Sequence, residues 1–235
     1  MKMNVTFVTA FLLPRSGAPT RSIERYRNEF QYLADAGVPL HVYLDERCDW
    51  DFPGAERICL QTDWLPENPT LPTYRNHEKD TVDYMCIQAM KLDLVARAAT
   101  KCSTPYLAWI DFGVFHMMSD KVGAQETLSQ IAARHYPHDK LIAPGCWPSG
   151  EYTVESVCWR FCGSFVLGHR DLWASAYQRQ MEVLRSIAPQ ITWEVNVWSR
   201  MDDLFYIYPA DHNDLLLRVP NEINARTSET IYDVL

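Results

Sequence analysis

The pattern of this chain predicts an α/β fold, one open sheet with helices on both faces. Three observations carry that. Short, continuously apolar runs alternate with amphipathic stretches of helical period, the pattern of strands covered on both sides. The 235 residues suit one sizeable core, so residues 1–235 are expected to form a single domain. A composition of 47% hydrophobic and 22% charged residues is that of an ordinary globular domain, and no repeat, low-complexity tract or charge block divides it.

The elements follow in order. Val5 to Leu13 is a continuous apolar run and reads as a buried strand. Ile23, Tyr26, Phe30 and Leu33 recur at helical spacing and Gly37 supplies a stop, which gives a helix from about Thr20 to Ala36. Val38 to Asp45 is a second strand and Glu56 to Gln61 a third, shorter one. Pro66, Pro69 and Pro72 make Asp63 to Asn76 an irregular loop. Val82, Met85, Cys86, Ala89 and Met90 mark a long helix ending near Thr100. Thr104 to Gly113 is the most apolar strand of the middle of the chain, and its apolar run stops at Asp111. A helix near Ala124 to Arg134, a short strand at Leu141 to Ala143 and a loop at Pro144 to Gly150 come next. Cys158 to Leu167 reads as a strand, Asp171 to Ile187 as a helix and Leu204 to Tyr208 as the last strand; the tail after Asn213 is less regular.

Composition excludes some functions. A formal net charge of -8 argues against a dedicated nucleic-acid binder, which needs a basic face for phosphates. The longest apolar runs fall short of the roughly 20 residues of a spanning helix. The N-terminal run leads directly into Pro14 and Arg15, so it reads as a strand and not a secretory signal. Seven cysteines, an odd count with no CxxC pair, point to reduced thiols in preference to disulfides or a zinc site, and to a cytoplasmic location, with any membrane contact made through partners. The GxxxxGK[ST], GxSxG, HExxH and GxGxxG signatures are all missing.

In an open α/β sheet, ligands bind outside the carboxyl ends of the strands. Asp111 stands at such an end, and Gly113 lets a ligand approach the backbone. Asp111 there either holds a hard divalent cation bridged to a diphosphate or caps the following turn. Asp45 and Glu46 end the second strand, and Asp211-His212-Asn213-Asp214, with donors that manganese accepts, follow the last. Arg21, Arg25 and Lys91 are the candidate phosphate partners; Lys91 sits between Met90 and Leu92 and belongs to no charge run. In Ile191 to Trp198, Trp193 and Trp198 flank Glu194 and Asn196, either as a sugar-binding face with a proton-transfer acid or as a buried aromatic turn. Trp193, Glu194 and Asn196 are expected to line the cleft, and the adjacent Trp193 and Glu194 can share one pocket only at a helix start or in a turn. Eight tryptophans, with Trp147 and Trp159 near crevice loops, favour a carbohydrate ligand.

VTFVTAFL, KDTVDYMCIQAMKLDLV, YLAWIDFGVFH, FCGSFVLG and TWEVNVW, spread from Val5 to Leu217, together resemble a nucleotide-sugar-dependent glycosyltransferase of GT-A type. More closely, the chain resembles the HtrL/YibB-type family of bacterial glycosyltransferases. The resemblance implies a GT-A-like (Rossmann-like) open mixed sheet and transfer of a sugar from a nucleoside-diphosphate donor to a carbohydrate or glycan hydroxyl. It implies a divalent metal, Mn2+ or Mg2+, held by Asp111 and by His212, although the Asp-x-Asp motif of such enzymes reads Asp111-x-Gly113 here. It aligns Lys91 with a family lysine facing the donor, and Gly163 and Ser164 with the turn on the acceptor side. Glu194 is then the candidate acid at the acceptor. A sugar nucleotidyltransferase would carry a glycine-rich basic loop where this chain has LLPRSGAPTRS; a non-catalytic carbohydrate-binding protein is the third reading.

Overall fold

The structure is a computed structural model that describes residues 2–15 and 21–223. Seven strands form one open sheet: β1 (Val5–Phe11), β2 (Leu40–Asp45), β3 (Glu56–Ile58), β4 (Tyr106–Ile110), β5 (Leu141–Gly145), β6 (Phe165–His169) and β7 (Phe205–Pro209), in the order β3-β2-β1-β4-β6-β5-β7. β3, β2, β1 and β4 run parallel, β5 and β7 are parallel to each other, and β6 is antiparallel to both β4 and β5. The sheet is therefore mixed, as the resemblance implies.

Helices cover both faces. The side chains of β1 and β4 alternate between two cores, as the two-residue period of a strand demands. Phe7, Tyr106, Ala108 and Ile110 pack with Phe30 and Leu33 of α1 (Ile23–Ala34) and with Leu128 and Ile131 of α3 (Lys121–Ala133). Val8, Leu107 and Trp109 pack on the other side, against α2 (Val82–Ala99), α4 (Trp173–Ile187) and α5 (Glu194–Trp198). Three helices begin on oxygen caps: Ser22 accepts from the Arg25 amide, Thr81 from Tyr84 and Asp120 from Gly123, each occupying an amide that lacks a helical partner. Gly37 takes φ +66°, the left-handed conformation that ends the α1 segment at little steric cost. Among the described residues, no helix is long and apolar enough to cross a membrane.

The sequence expectations need correction in places. The run Cys158 to Leu167 is not one strand, because β6 begins only at Phe165. Residues 158–164 fold back as a buried turn, the Cys162 amide donating to the Pro144 carbonyl at 2.8 Å and the Trp147 amide to the Trp159 carbonyl at 3.1 Å. Pro144 belongs to β5 and not to the loop, since the strand continues to Gly145 in register with β7. That approach is close: a Cβ at Gly145 would lie 2.1 Å from the Arg160 carbonyl. β3 ends at Ile58, and the helix start expected at Thr20 lies outside the described residues. The segment after Asn213 makes a 3-10 turn, Asp214–Leu217, that buries Leu216 and Leu217.

Candidate active site

A cleft of about 1050 Å³ opens beyond the carboxyl ends of β1 and β4. Its floor is an ionic cluster built from three distant segments. β4 ends at Ile110, so Asp111 is the first residue past the sheet, and its amide donates to the Ser164 carbonyl at 2.9 Å. Lys91 reaches the same point from the interior of α2. Glu194 arrives as the first residue of α5, with Trp193 in the N-cap position.

Lys91 is 3% exposed, and an ammonium that deep must be paired. Its Nζ lies 2.8 Å from Glu194 Oε1, 3.1 Å from Asp111 Oδ1 and 2.9 Å from the Gly163 carbonyl, which engages all three N–H bonds. Asp111 Oδ1 also accepts from the Trp109 indole at 2.7 Å. Burial alone would push the Asp111 carboxyl up. The Lys91 charge and the hydrogen bonds from Trp109, Ser164 and Lys91 outweigh it and hold the group below the ordinary carboxylate range. Burial alone would likewise pull Lys91 down, but Asp111 and Glu194 together raise it above the ordinary lysine value. Lys91 and Asp111 therefore hold each other in their charged forms, with the Asp111 carboxylate on the cleft. Gly163 is required by this packing: a Cβ there would lie 2.2 Å from Glu194 Oε1.

The other candidates divide. Arg21, Gly113, Ser164, Trp159, Trp193 and His212 all line the cleft. Trp193 and Glu194 share it because they straddle a helix start, the condition their adjacency imposes. Asn196 does not belong. Its Oδ1 accepts from the Cys158 amide at 2.6 Å and its Nδ2 donates to the Ser156 carbonyl and Thr192 Oγ1, so it anchors the 153–158 segment. Arg25 is exposed on α1 away from the lining. Lys91, expected to meet donor phosphates, has its donors committed to the protein and organises the acids instead. Asp45 is buried and holds the loop after β1, accepting from the Leu13 amide and from Arg47. Trp147 is exposed outside the lining. Two cations of the lining went unnoticed in the sequence, Arg75 and Lys79, both in the proline-rich stretch before α2. A Pro-rich loop ending in Arg75, His77 and Lys79 just before a helix was the available signal.

A hard divalent cation takes about six ligands, mostly oxygens. Asp111 offers one carboxylate, with one oxygen already engaged, and the Lys91 ammonium beside it repels a second cation. Gly113 supplies no acid, and a Cβ there would already lie 3.1 Å from the Tyr26 ring. His212 packs edge-on to Trp159 and turns its Nδ1 toward Asp211, at 3.4 Å. Among the described residues neither Asp111 nor His212 joins a cluster of three close metal donors. The donors expected for Mn2+ or Mg2+ therefore do not make up a hard-cation site.

The architecture defines a class: an open mixed seven-stranded α/β sheet flanked by helices, of the GT-A-like kind. Comparison with solved structures agrees. The fold is similar to that of a glycosyltransferase involved in glycosylation of the major capsid of PBCV-1, with TM-score 0.50 and 12% identity over 87% of this chain and 82% of that one. Lower similarity extends to the glycosyltransferase GlyE of Streptococcus pneumoniae TIGR4, with TM-score 0.44 and 10% identity over 88% of this chain and 45% of that one. The bifunctional IspDF of Campylobacter jejuni gives TM-score 0.43 and 8% identity over 88% and 50%. At these identities the likeness is one of fold. No family model matches the chain, and comparison with curated proteins finds no match.

Proposed function

We propose that this chain is a glycosyltransferase of GT-A type, transferring a sugar from a nucleoside-diphosphate donor to a carbohydrate hydroxyl. The observation that carries the reading is the buried Lys91–Asp111–Glu194 cluster at the strand-end cleft, where this fold class binds ligands. The fold shared with a glycosyltransferase and the tryptophans of the lining support it. The narrower kinship with the HtrL/YibB-type family is part of the proposal, resting on the short motifs alone.

In this reading Arg21, Arg75 and Lys79 receive the donor diphosphate as exchangeable surface cations. Asp111, kept ionised, accepts hydrogen bonds from donor hydroxyls. Lys91 fixes Glu194 in one orientation on the acceptor side, with Trp193 beside it. The acceptor oxygen bonds to the anomeric carbon, the bond from that carbon to the diphosphate breaks, and the nucleoside diphosphate leaves with the electron pair. In an inverting transfer Glu194 takes the acceptor proton; in a retaining one it faces the positive charge developing at the anomeric carbon. The anomeric configuration of the product distinguishes the two. The odd count of seven cysteines with no CxxC pair supports a reducing, cytoplasmic location as part of the proposal.

A thermal-shift panel tests the reading: nucleoside diphosphates, nucleotide sugars and free oligosaccharides, each with chelator and with manganese. Binding to the native state raises the melting temperature. Stabilisation by one nucleoside diphosphate, and glycan product from its sugar, is the expected result. Nucleotide-sugar synthesis from a sugar phosphate and a nucleoside triphosphate would assign the nucleotidyltransferase chemistry instead. Stabilisation by oligosaccharides alone would make the chain a carbohydrate-binding protein.

A further inference from the structure

Beside the cleft, on the far side of His212, lies a second cluster of chemistry-bearing groups. Cys146 follows the end of β5, Cys162 lies in the buried turn before β6, and Asp211 follows β7. One ligand atom from each falls within 4.8 Å of the others, and among the described residues this is the one such group of three or more His, Cys, Asp or Glu side chains. The two sulfurs are 3.6 Å apart, and Cys146 Sγ is 3.7 Å from Asp211 Oδ1.

Those spacings can be compared with what chemistry would impose. A disulfide needs its sulfurs about 2.05 Å apart. A tetrahedral zinc ion, with Zn–S near 2.3 Å and Zn–O near 2.1 Å, sets two thiolate sulfurs about 3.8 Å apart and a sulfur and carboxylate oxygen about 3.6 Å apart. The separation of the two sulfurs and that of Cys146 Sγ from Asp211 Oδ1 match two edges of that tetrahedron, and the sulfur separation does not match the bond. The donor set agrees, since two thiolates select a soft or borderline ion over Mg2+ or Mn2+.

We propose that Cys146, Cys162 and Asp211 bind one zinc ion, a site separate from the Lys91 cluster. His212 stands next to the third of these donors, its Nδ1 3.4 Å from Asp211 Oδ1. As thiols, Cys146 and Cys162 both donate to the Ala210 carbonyl, at 3.0 and 3.5 Å. Zn2+ takes the place of the two thiol protons, which pass to solvent, with no change of oxidation state. The ion adds side-chain ligation to three segments that backbone hydrogen bonds already bring together: the end of β5, the 158–164 turn and the strand exit after β7, with the Cys162 amide on the Pro144 carbonyl and the Ala210 amide on the Gly145 carbonyl. The turn carries Trp159, Gly163 and Ser164, and the strand exit carries His212, all of which line the cleft. Zinc therefore fixes one wall of the candidate active site without entering it.

The test is metal content and does not depend on transferase activity, so its failure leaves the proposed function standing, and the converse holds. Protein purified under reducing, chelator-free conditions is loaded with zinc, freed of excess on a desalting column and challenged with a chromophoric zinc chelator. We expect about one tightly held zinc per chain, and Co2+ in its place should show thiolate-to-metal charge-transfer absorption. Cys146→Ser and Asp211→Asn should each weaken retention roughly tenfold or more, the scale on which even outer ligands matter. Asp211 is exposed, so its variant folds whether or not a change at the buried Cys162 does. Cys59→Ser, at an exposed thiol outside the cluster, should change nothing. Zinc held no better than background, zinc retained equally by the variants, or a thiol titration short by two because Cys146 and Cys162 have oxidised would each overturn the assignment.

Discussion

Removing the Lys91 charge while keeping its bulk, as in Lys91→Met, should destabilise the fold in a pH-dependent way. Glu194 Oε1 and Asp111 Oδ1 both contact one ammonium, at 2.8 and 3.1 Å, so they lie less than about 6 Å apart. At that separation two carboxylates repel by about 3 kcal/mol at an effective dielectric of 20. Asp111 is 34% exposed and can turn to water, whereas the Glu194 side chain is 6% exposed and cannot. Breaking a buried pair from one side costs about 3–5 kcal/mol, and the partial exposure of Asp111 puts this case at about 3. The pair can relieve the strain by taking up one proton, which raises a carboxyl pKa in the folded variant above its unfolded value. Such a group adds stability below the unfolded pKa and loses it as pH rises through the folded pKa. The loss should therefore be small near pH 5 and full by pH 8. Urea unfolding of wild type, Lys91→Met, Glu194→Gln and the double variant at both pH values measures this, and the double variant should recover at least half the loss. A cost below about 1 kcal/mol at pH 8, or an equal cost at both pH values, would refute Lys91 as the counter-ion of the cluster.

Glu194→Gln should lower transfer roughly a hundredfold or more with donor affinity within a few-fold of wild type, read from steady-state kinetics and nucleotide titration. Gly163→Ala pushes a methyl group against Glu194 Oε1 and should cost about 1–3 kcal/mol in urea unfolding while lowering turnover per folded molecule. Asp111 is held below the ordinary carboxylate range, so its share of stability is present above the unfolded pKa, near 3.9, and fades as pH falls through the folded value. Asp111→Asn should flatten the stability profile in that acid window alone. Lys79→Ala together with Arg75→Ala should weaken nucleoside-diphosphate binding more than nucleoside binding, and the difference should shrink with added salt.

Much of the fold was legible because period and burial agreed. β1, β4 and α2 are long enough for their apolar pattern to settle their type, Thr81 caps the start of α2, and Gly37 ends the α1 segment. The failure at Cys158 to Leu167 has a specific cause. Phe161 and Cys162 are fully buried, yet they belong to a turn packed beneath β5, so an apolar run marked burial and not extension. A sequence pattern reports the solvent exposure of a residue more faithfully than the hydrogen-bond partner of its backbone. The place of β6, antiparallel between β4 and β5, is likewise a matter of long-range pairing that no local signal carries.

The site was legible by position and not by partnership. Asp111 was found because a carboxylate ends the most apolar central strand. Asn196 shares the sugar-binding chemistry of its neighbours, but every polar atom of its side chain is taken by the protein, which residue type cannot reveal. Lys91 carries a signal already present in the sequence. It lies between Met90 and Leu92 in an 18-residue helix whose Met85, Cys86, Leu94 and Val95 are also buried, so most of its neighbours are apolar. A lysine so placed must meet acids from elsewhere, because an unpaired ammonium costs too much to bury. A central strand that ends in a carboxylate directs one of them, Asp111, to the same side of the sheet end. The second, Glu194, is 103 residues away and is brought in by the topology alone. The apolar neighbours that set Lys91 apart from a solvated charge run are thus the signal of a counter-ion role, and they argue against the phosphate role expected of it from its position and from the resemblance alike.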